Sequence, residues 1–203
     1  LNIIENKINK YLDQLGVNYL HAILFHSFES YLIHKAELNG KINNVFKIGV
    51  SVYTNEQVEE VINDTNINII QLPFNLFDNA TLRGHLLYKA KKNNKIIHTR
   101  SAFLQGLFFM KKDNPNNIRV KLEKELDTIY NISSKCSISI GALALHYCIK
   151  QTNIDGVLIG VDSIQQLKEN INFTEIKIPQ IYLDEINKIK IKNIELLNPV
   201  MWN

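Results

Sequence analysis

A chain of 203 residues with 45% apolar content can bury one sizeable core, and residues 1–203 are expected to form one domain. The net charge of +3 is mild and the lysines lie scattered among acids, which argues against a nucleic-acid partner. No apolar run reaches the roughly 18 residues of a membrane helix, no signal peptide is visible, and Cys136 and Cys148 match no metal or redox spacing; a cytoplasmic protein with reduced thiols, no membrane partner and no metal is expected.

The chain begins at Leu1 and its first methionine is Met110, so the natural N-terminus is expected to lie upstream. The opening segment places Ile4, Ile8, Tyr11, Leu12 and Leu15 on one helical face and stops at Gly16. "YLHAILF" follows as a strand ending at His26-Ser27, and a short helical stretch, "ESYLIHKAELNG", ends at Gly40. "VFKIGVS" is a strand ending in Ser51, after which Thr54 and Gln57 form a capping box for a helix carrying Val58, Val61 and Ile62. "INIIQLPFN" is the third strand, with Gln71 near its end and Pro73 closing it. A helix from about Ala80 to Asn93, with Leu82, Leu86, Leu87 and Ala90, leads into "KIIHTRS", ending at Arg100-Ser101. Two helical patterns follow near Asn116 to Tyr130 and Ser137 to Gln151, joined to the fourth strand through the solvated loop "KKDNPNN". "DGVLIG" is the fifth strand, ending at Gly160; Ser163 and Gln166 cap the next helix, and a last helix runs from Pro179 to about Lys190.

Near-continuous apolar strands alternating with helices predict a parallel sheet covered by helices, either an open doubly wound sheet or a barrel. Neither the glycine-rich dinucleotide fingerprint nor a P-loop is present. In both folds the chemistry sits at the carboxyl ends of the strands, so His26, Ser51, Gln71, Arg100-Ser101 and the Gly160 turn are expected on one rim.

With these strand ends in place, "LGVNYLHAILFHS", "KIGVSVYTNEQVEEV", "IQLPFNLFD", "RSAFLQGLFF" and "GVLIGVDSIQQLKENI" follow one another in the order and spacing of the aldo-keto reductases. The chain resembles the C-terminal two-thirds of that family, and "RSAFLQGLFF" and "NPVMWN" resemble a bacterial branch with sugar-dehydrogenase-like and regulatory members. The resemblance implies an α/β fold, a (β/α)8 TIM barrel of which the five strands are the fourth to eighth. It also implies NADPH or NADH as cofactor, without metal or flavin, and reduction of a carbonyl by hydride while a tyrosine, tuned by an aspartate and a lysine, protonates the oxygen. Those three residues are expected upstream of Leu1, and only the substrate-orienting histidine has a counterpart, His26.

By the same resemblance Ser51 and Gln71 hold the nicotinamide carboxamide, which needs donor and acceptor partners. Val52 stands where the family usually has asparagine. Arg100 stands where many relatives stack a tyrosine on the nicotinamide; a guanidinium can stack there or pair with a phosphate or an acidic substrate group. Ser101, Phe103, Gln105 and Gly106 match the loop that wraps the pyrophosphate. Gly160, Val161, Gln166, Glu169 and Asn170 match the adenosine end, with a helix N-terminus facing phosphate. Relatives that use NADP commonly carry a cation in the Gly160-Val161 turn and an arginine at Gln166; neither is present, Lys168 is the nearby base, and little preference for NADP over NAD, at most a mild one for NAD, is expected. The other histidines, His98 included, are assigned structural or exposed positions.

These readings imply an NAD(P)H-dependent oxidoreductase acting on a small carbonyl compound, a sugar among the candidates. The alternative is a catalytically inactive, cofactor-binding barrel with a regulatory or structural role. Without the tyrosine and lysine, the 203 residues alone are expected to show no carbonyl reduction.

Overall fold

The computed structural model of the chain describes residues 2–39 and 42–202. Its elements are α1 (Asn2–Leu15), β1 (Leu20–Phe25), α2 (Phe28–His34), β2 (Val45–Ser51), α3 (Asn55–Asn63), β3 (Ile69–Pro73), α4 (Ala80–Lys92), β4 (Ile96–Arg100), α5 (Asn117–Lys121), α6 (Glu123–Cys136), α7 (Ile140–Ile149), β5 (Gly156–Val157), α8 (Ile164–Glu175) and α9 (Gln180–Asn187). The strands are hydrogen-bonded neighbours in chain order in one five-stranded sheet, parallel at β1–β2, β2–β3 and β4–β5. The chain divides into two compact units, Leu1–Leu72 with Tyr88–Ile97, and Pro73–Leu87 with His98–Asn203.

In the first unit α1 buries one i, i+4 row, Ile4, Ile8 and Leu12. Tyr11 and Leu15, expected on the same face, belong to the adjoining row and are exposed at 48% and 65%. Gly16, at φ +63°, ends this helix. Ser27 is the N-cap of α2, its Oγ accepting from Ser30 N at 3.2 Å, so its hydroxyl serves the backbone. The helix tightens into a 3₁₀ turn at Lys35–Asn39, and the expected Gly40 stop lies outside the described residues. Tyr31, fully buried, donates to Asp64 Oδ2 at 2.7 Å; burial and that carboxylate push its phenol up to about 12. Thr54 and Gln57 form the expected capping box of α3, which buries Val58, Val61 and Ile62.

In the second unit the turn after β3 is buried and polar. Asn75 Oδ1 accepts from the N–H of Phe77 and Asp78, both at 2.9 Å, and Asp78 pairs with Arg83. Asn79 Nδ2 donates to Ile186 O at 3.2 Å and Ile189 O at 2.9 Å, tying this turn to the end of α9.

The pattern expected as one helix over 116–130 is two, because Leu122 leaves helical geometry (φ −111°, ψ 20°) and its N–H bonds Ile118 O and Val120 O. The helix expected from Ser137 starts at Ile140: Ser137 is left-handed (φ +54°) and closes α6, while Ser139 caps α7. Pro179 is the N-cap of α9 rather than its first turn. The fifth strand is short, although Leu158 N–H still bonds Thr99 O at 2.7 Å. Burial pushes the Cys148 thiol up, away from reactivity.

His146, in the buried 141–148 stretch of α7, has no partner among the described residues for either ring nitrogen. Burial, reinforced by Lys150, lowers its pKa. Above its ordinary value of 6.5 the ring is neutral folded and unfolded. Below that value the unfolded chain binds the proton first, so stability falls as the pH drops through the folded pKa. His146→Leu should therefore raise stability near neutral pH by about 1–3 kcal/mol and flatten the acid loss. Urea unfolding midpoints at about pH 7.5 and about pH 5.5 measure both; an unchanged pH slope would clear His146 of that role.

Candidate functional site

In the first unit three strand ends fall in register. Phe25 pairs with Val50, and Ser51 pairs with Gln71. His26, the residue after Phe25, is thus level with Ser51 and Gln71 at the carboxyl ends of adjacent parallel strands. Ser51 is buried, Gln71 half-buried and His26 exposed. Val52 is fully buried and its N–H bonds Gln71 O at 2.8 Å, so its side chain serves the core. Close strand packing depends on Gly49, where a Cβ would stand 2.8 Å from Leu24 Cγ and 2.9 Å from Ile69 Cβ.

In the second unit β4 ends at Arg100, whose Nη1 lies 3.5 Å from Ser101 Oγ. Ser101 (φ +64°), Leu104 (φ +44°), Gln105 (φ +53°) and Gly106 (φ +79°) then take left-handed conformations through the turn and the 3₁₀ segment Leu104–Phe109. The loop closes tight turns on itself, Leu104 N–H donating to Ser101 O and Gly106 N–H to Phe103 O, both at 2.9 Å. Across from it, α8 starts from Ser163, whose Oγ accepts from Gln166 N at 3.1 Å, while Gln166 Oε1 accepts from Asp162 N at 2.8 Å. The Gln166 side chain therefore fixes the turn before α8.

These segments enclose a cleft of about 850 Å³, within the size range of small-molecule and cofactor sites. Ser101, Phe103, Gln105 and Gly106 line one side, and Gly160, Gln166, Glu169 and Asn170 another. Asn170 is only 7% exposed and lines the cleft. An amide at the wall of a cleft offers a donor and an acceptor to a ligand edge carrying the complementary pair.

The cleft also includes residues that sequence reasoning misses: Ser139, Ile140 and Gly141 from the start of α7, together with Phe109, Asp162 and Phe173. A Cβ on Gly141 would meet Phe173 Cε2 at 2.9 Å and Phe109 Cε1 at 3.4 Å, so glycine lets both rings close on α7. Ser139 could have been found as an N-cap; nothing in the sequence singles out Phe173. His98 packs on Gly156, a Cβ on which would stand 3.2 Å from His98 Cδ2. Among the described residues no group of three or more His, Cys, Asp or Glu could hold a metal ion, and no single helix is long and apolar enough to cross a membrane.

The family model described as the aldo/keto reductase family matches residues 2–191. The chain belongs to the aldo/keto reductase family. No curated protein matches it in sequence. Among solved structures it is similar to an aldo-keto reductase from Bacillus halodurans in its holo form, with 16% identity and a TM-score of 0.73, covering 94% of this chain and 67% of that one. The apo form gives 18% identity and a TM-score of 0.74, covering 94% and 69%. The glycerol dehydrogenase from Gluconobacter oxydans gives 20% identity and a TM-score of 0.67, covering 94% and 65%. The chain thus has the α/β barrel fold of this family and spans about two thirds of the length of these structures.

Proposed function

We propose that the protein is an NAD(P)H-dependent oxidoreductase that interconverts a small aldehyde or ketone, sugars among the candidates, and its alcohol. Family membership supports carbonyl oxidoreduction in general terms. The observation that carries the cofactor part is the cleft of about 850 Å³ in the second unit, lined by the left-handed 101–106 loop and by the start of α8 with Asn170.

The residues present fit a nicotinamide dinucleotide. The 101–106 loop is assigned the pyrophosphate, and Asn170 a purine edge with donor and acceptor side by side. Gly160, on which an added Cβ would meet nothing within 4 Å, leaves the wall open at that end. When bound, such a cofactor supplies or accepts a hydride. In the first unit, Ser51 and Gln71 are assigned the carboxamide and His26 the carbonyl oxygen of the substrate, which it orients as a hydrogen-bond donor. Arg100 either steadies the cofactor or reads an acidic group on the substrate. The partner is a small carbonyl compound, and the proposed location is the cytoplasm.

Fluorescence titration of NADH and NADPH into the folded protein tests this reading. At least one should bind, and Asn170→Ala should weaken it by about tenfold, as expected for the loss of a buried hydrogen bond. Binding of neither, or an Asn170→Ala variant that binds as the wild type does, would sink the cofactor assignment. Arg100→Ala separates its two roles: weaker cofactor binding marks the first, and a raised KM for substrate with intact cofactor affinity marks the second.

A further inference from the structure

The loop that walls the cleft of the second unit is held at both ends by side chains outside the cleft lining. At the front, Ser101 O closes the first turn by accepting from Leu104 N–H at 2.9 Å, and it also accepts from Asn75 Nδ2 at 3.3 Å. Asn75 is fully buried, and the preceding residue, Phe74, donates its N–H to Arg100 O at 3.0 Å. At the back, the Tyr130 hydroxyl on α6 reaches Met110 O at 2.9 Å and Phe108 O at 3.2 Å. These two carbonyls flank Phe109, which lines the cleft with its ring centre 5.6 Å from that of Phe103. Burial holds the Tyr130 phenol above the ordinary tyrosine value, so it stays a donor at physiological pH. Between the two anchors, Leu104 (φ +44°) and Gln105 (φ +53°) take left-handed conformations that side-chain-bearing residues adopt at a cost. Such a segment keeps its shape only where its surroundings over-determine it. Leu104, Leu107 and Phe108 are fully buried, and the two anchors fix the backbone that carries them.

We propose that Asn75 and Tyr130 are positioning residues for the cofactor, holding the 101–110 loop in its binding conformation before the cofactor arrives. This rests on the cofactor reading of the cleft. Neither side chain lines the cleft, and each acts through carbonyls of the loop. A loop that must order on binding lowers the apparent affinity in proportion to the time it spends out of shape. The anchors remove that cost in advance. Tyr130 does so through one oxygen atom, whose loss leaves Phe108 O and Met110 O without that donor while the ring keeps its place. Asn75 ties the loop to the buried turn after β3, where its Oδ1 already holds the N–H groups of Phe77 and Asp78.

The test pairs two measurements on the wild type, Tyr130→Phe and Asn75→Ser, with folding checked by circular dichroism. One is binding of NADH and NADPH, read by cofactor fluorescence; the other is amide hydrogen exchange over residues 101–110, read by mass spectrometry. Tyr130→Phe should bind the cofactor about three- to tenfold more weakly, the scale of one hydrogen bond, with faster exchange in the loop. Asn75→Ser keeps an oxygen for the N–H groups of its own turn but is too short for Ser101 O, and should shift both quantities in the same direction. If Asn75→Ser does not fold, Tyr130→Phe decides. Wild-type affinity in Tyr130→Phe would overturn the proposal whatever the exchange shows, because a residue that only stabilises the fold leaves cofactor affinity intact. Weaker binding with wild-type exchange in the loop would overturn it too, since the effect would not travel through the loop. A folded wild type that binds neither cofactor would overturn the cleft reading itself, and the role of both anchors with it.

Discussion

Arg83→Met should destabilise the protein by about 3–5 kcal/mol, the range for breaking a buried ion pair by removing one partner. Arg83 and Asp78 are almost wholly buried, with side chains 3% and 1% exposed. Their contact is bidentate: Arg83 Nε donates to Asp78 Oδ1 at 2.6 Å and Nη2 to Oδ2 at 2.8 Å. The pair spans the turn between β3 and α4, where Phe74, Asn75, Leu76, Phe77, Asp78 and Asn79 are all buried. Methionine fills much of the volume but leaves a buried carboxylate without its bidentate partner, Arg100 acting on it only through space. In the variant the Asp78 pKa should lie above its unfolded value, so the deficit should be largest at neutral pH and shrink as acid protonates the group. Asp78→Asn combined with Arg83→Met should recover part of the loss, because no buried charge is then left unpaired. Urea denaturation of the three variants at neutral and acidic pH checks this. A deficit below about 1 kcal/mol, the scale of an exposed pair, would mean that the turn opens to water at little cost.

Much of the architecture can be read from apolar runs that end in polar residues, because parallel strands covered on both faces leave little room for alternation. The caps at Thr54 and Ser163 are legible for a local reason: hydroxyl and amide reach backbone three residues away. The start of α7 is not, since "SSKCSIS" holds several serines and only the folded chain decides that Ser137 turns left-handed and Ser139 caps. Nor does the sequence mark the break at Leu122. No proline or glycine interrupts "NIRVKLEKELDTIY", and the turn before it is held from outside, by Arg119 Nε donating to Lys111 O at 2.9 Å. The left-handed run at Leu104 and Gln105 carries no propensity signal either. The cleft residues on the 101–106 and 160–170 segments come from family resemblance, whereas periodicity alone would leave "SIQQLKEN" as a capped amphipathic helix. Asp162 and the start of α7 enter only through the fold.

In a form of the protein that turns over carbonyls, His26→Ala should lower kcat by about 10²–10³-fold, the range for removing one preorganised donor at a developing oxyanion. His26 is the residue after the last of β1, in the bend into α2, and is level with Ser51 and Gln71 on the neighbouring strand ends. Its neighbour Ser27 is committed to the cap of α2, which leaves the imidazole as the polar group at this strand end available to a substrate. A donor that tightens its bond only as charge builds on the oxygen should be felt in kcat more than in KM. Binding of the cofactor should stay within about twofold of the wild type, a difference well below the 1.4 kcal/mol of a tenfold change. His26→Gln, which keeps a donor at similar reach, should recover part of the lost turnover. Steady-state rates on a panel of aldehydes and ketones, with cofactor affinities measured separately, give all of these quantities. Wild-type turnover in both variants would take the substrate oxygen away from His26 and leave the Ser51–Gln71 pair without a neighbouring donor on β1.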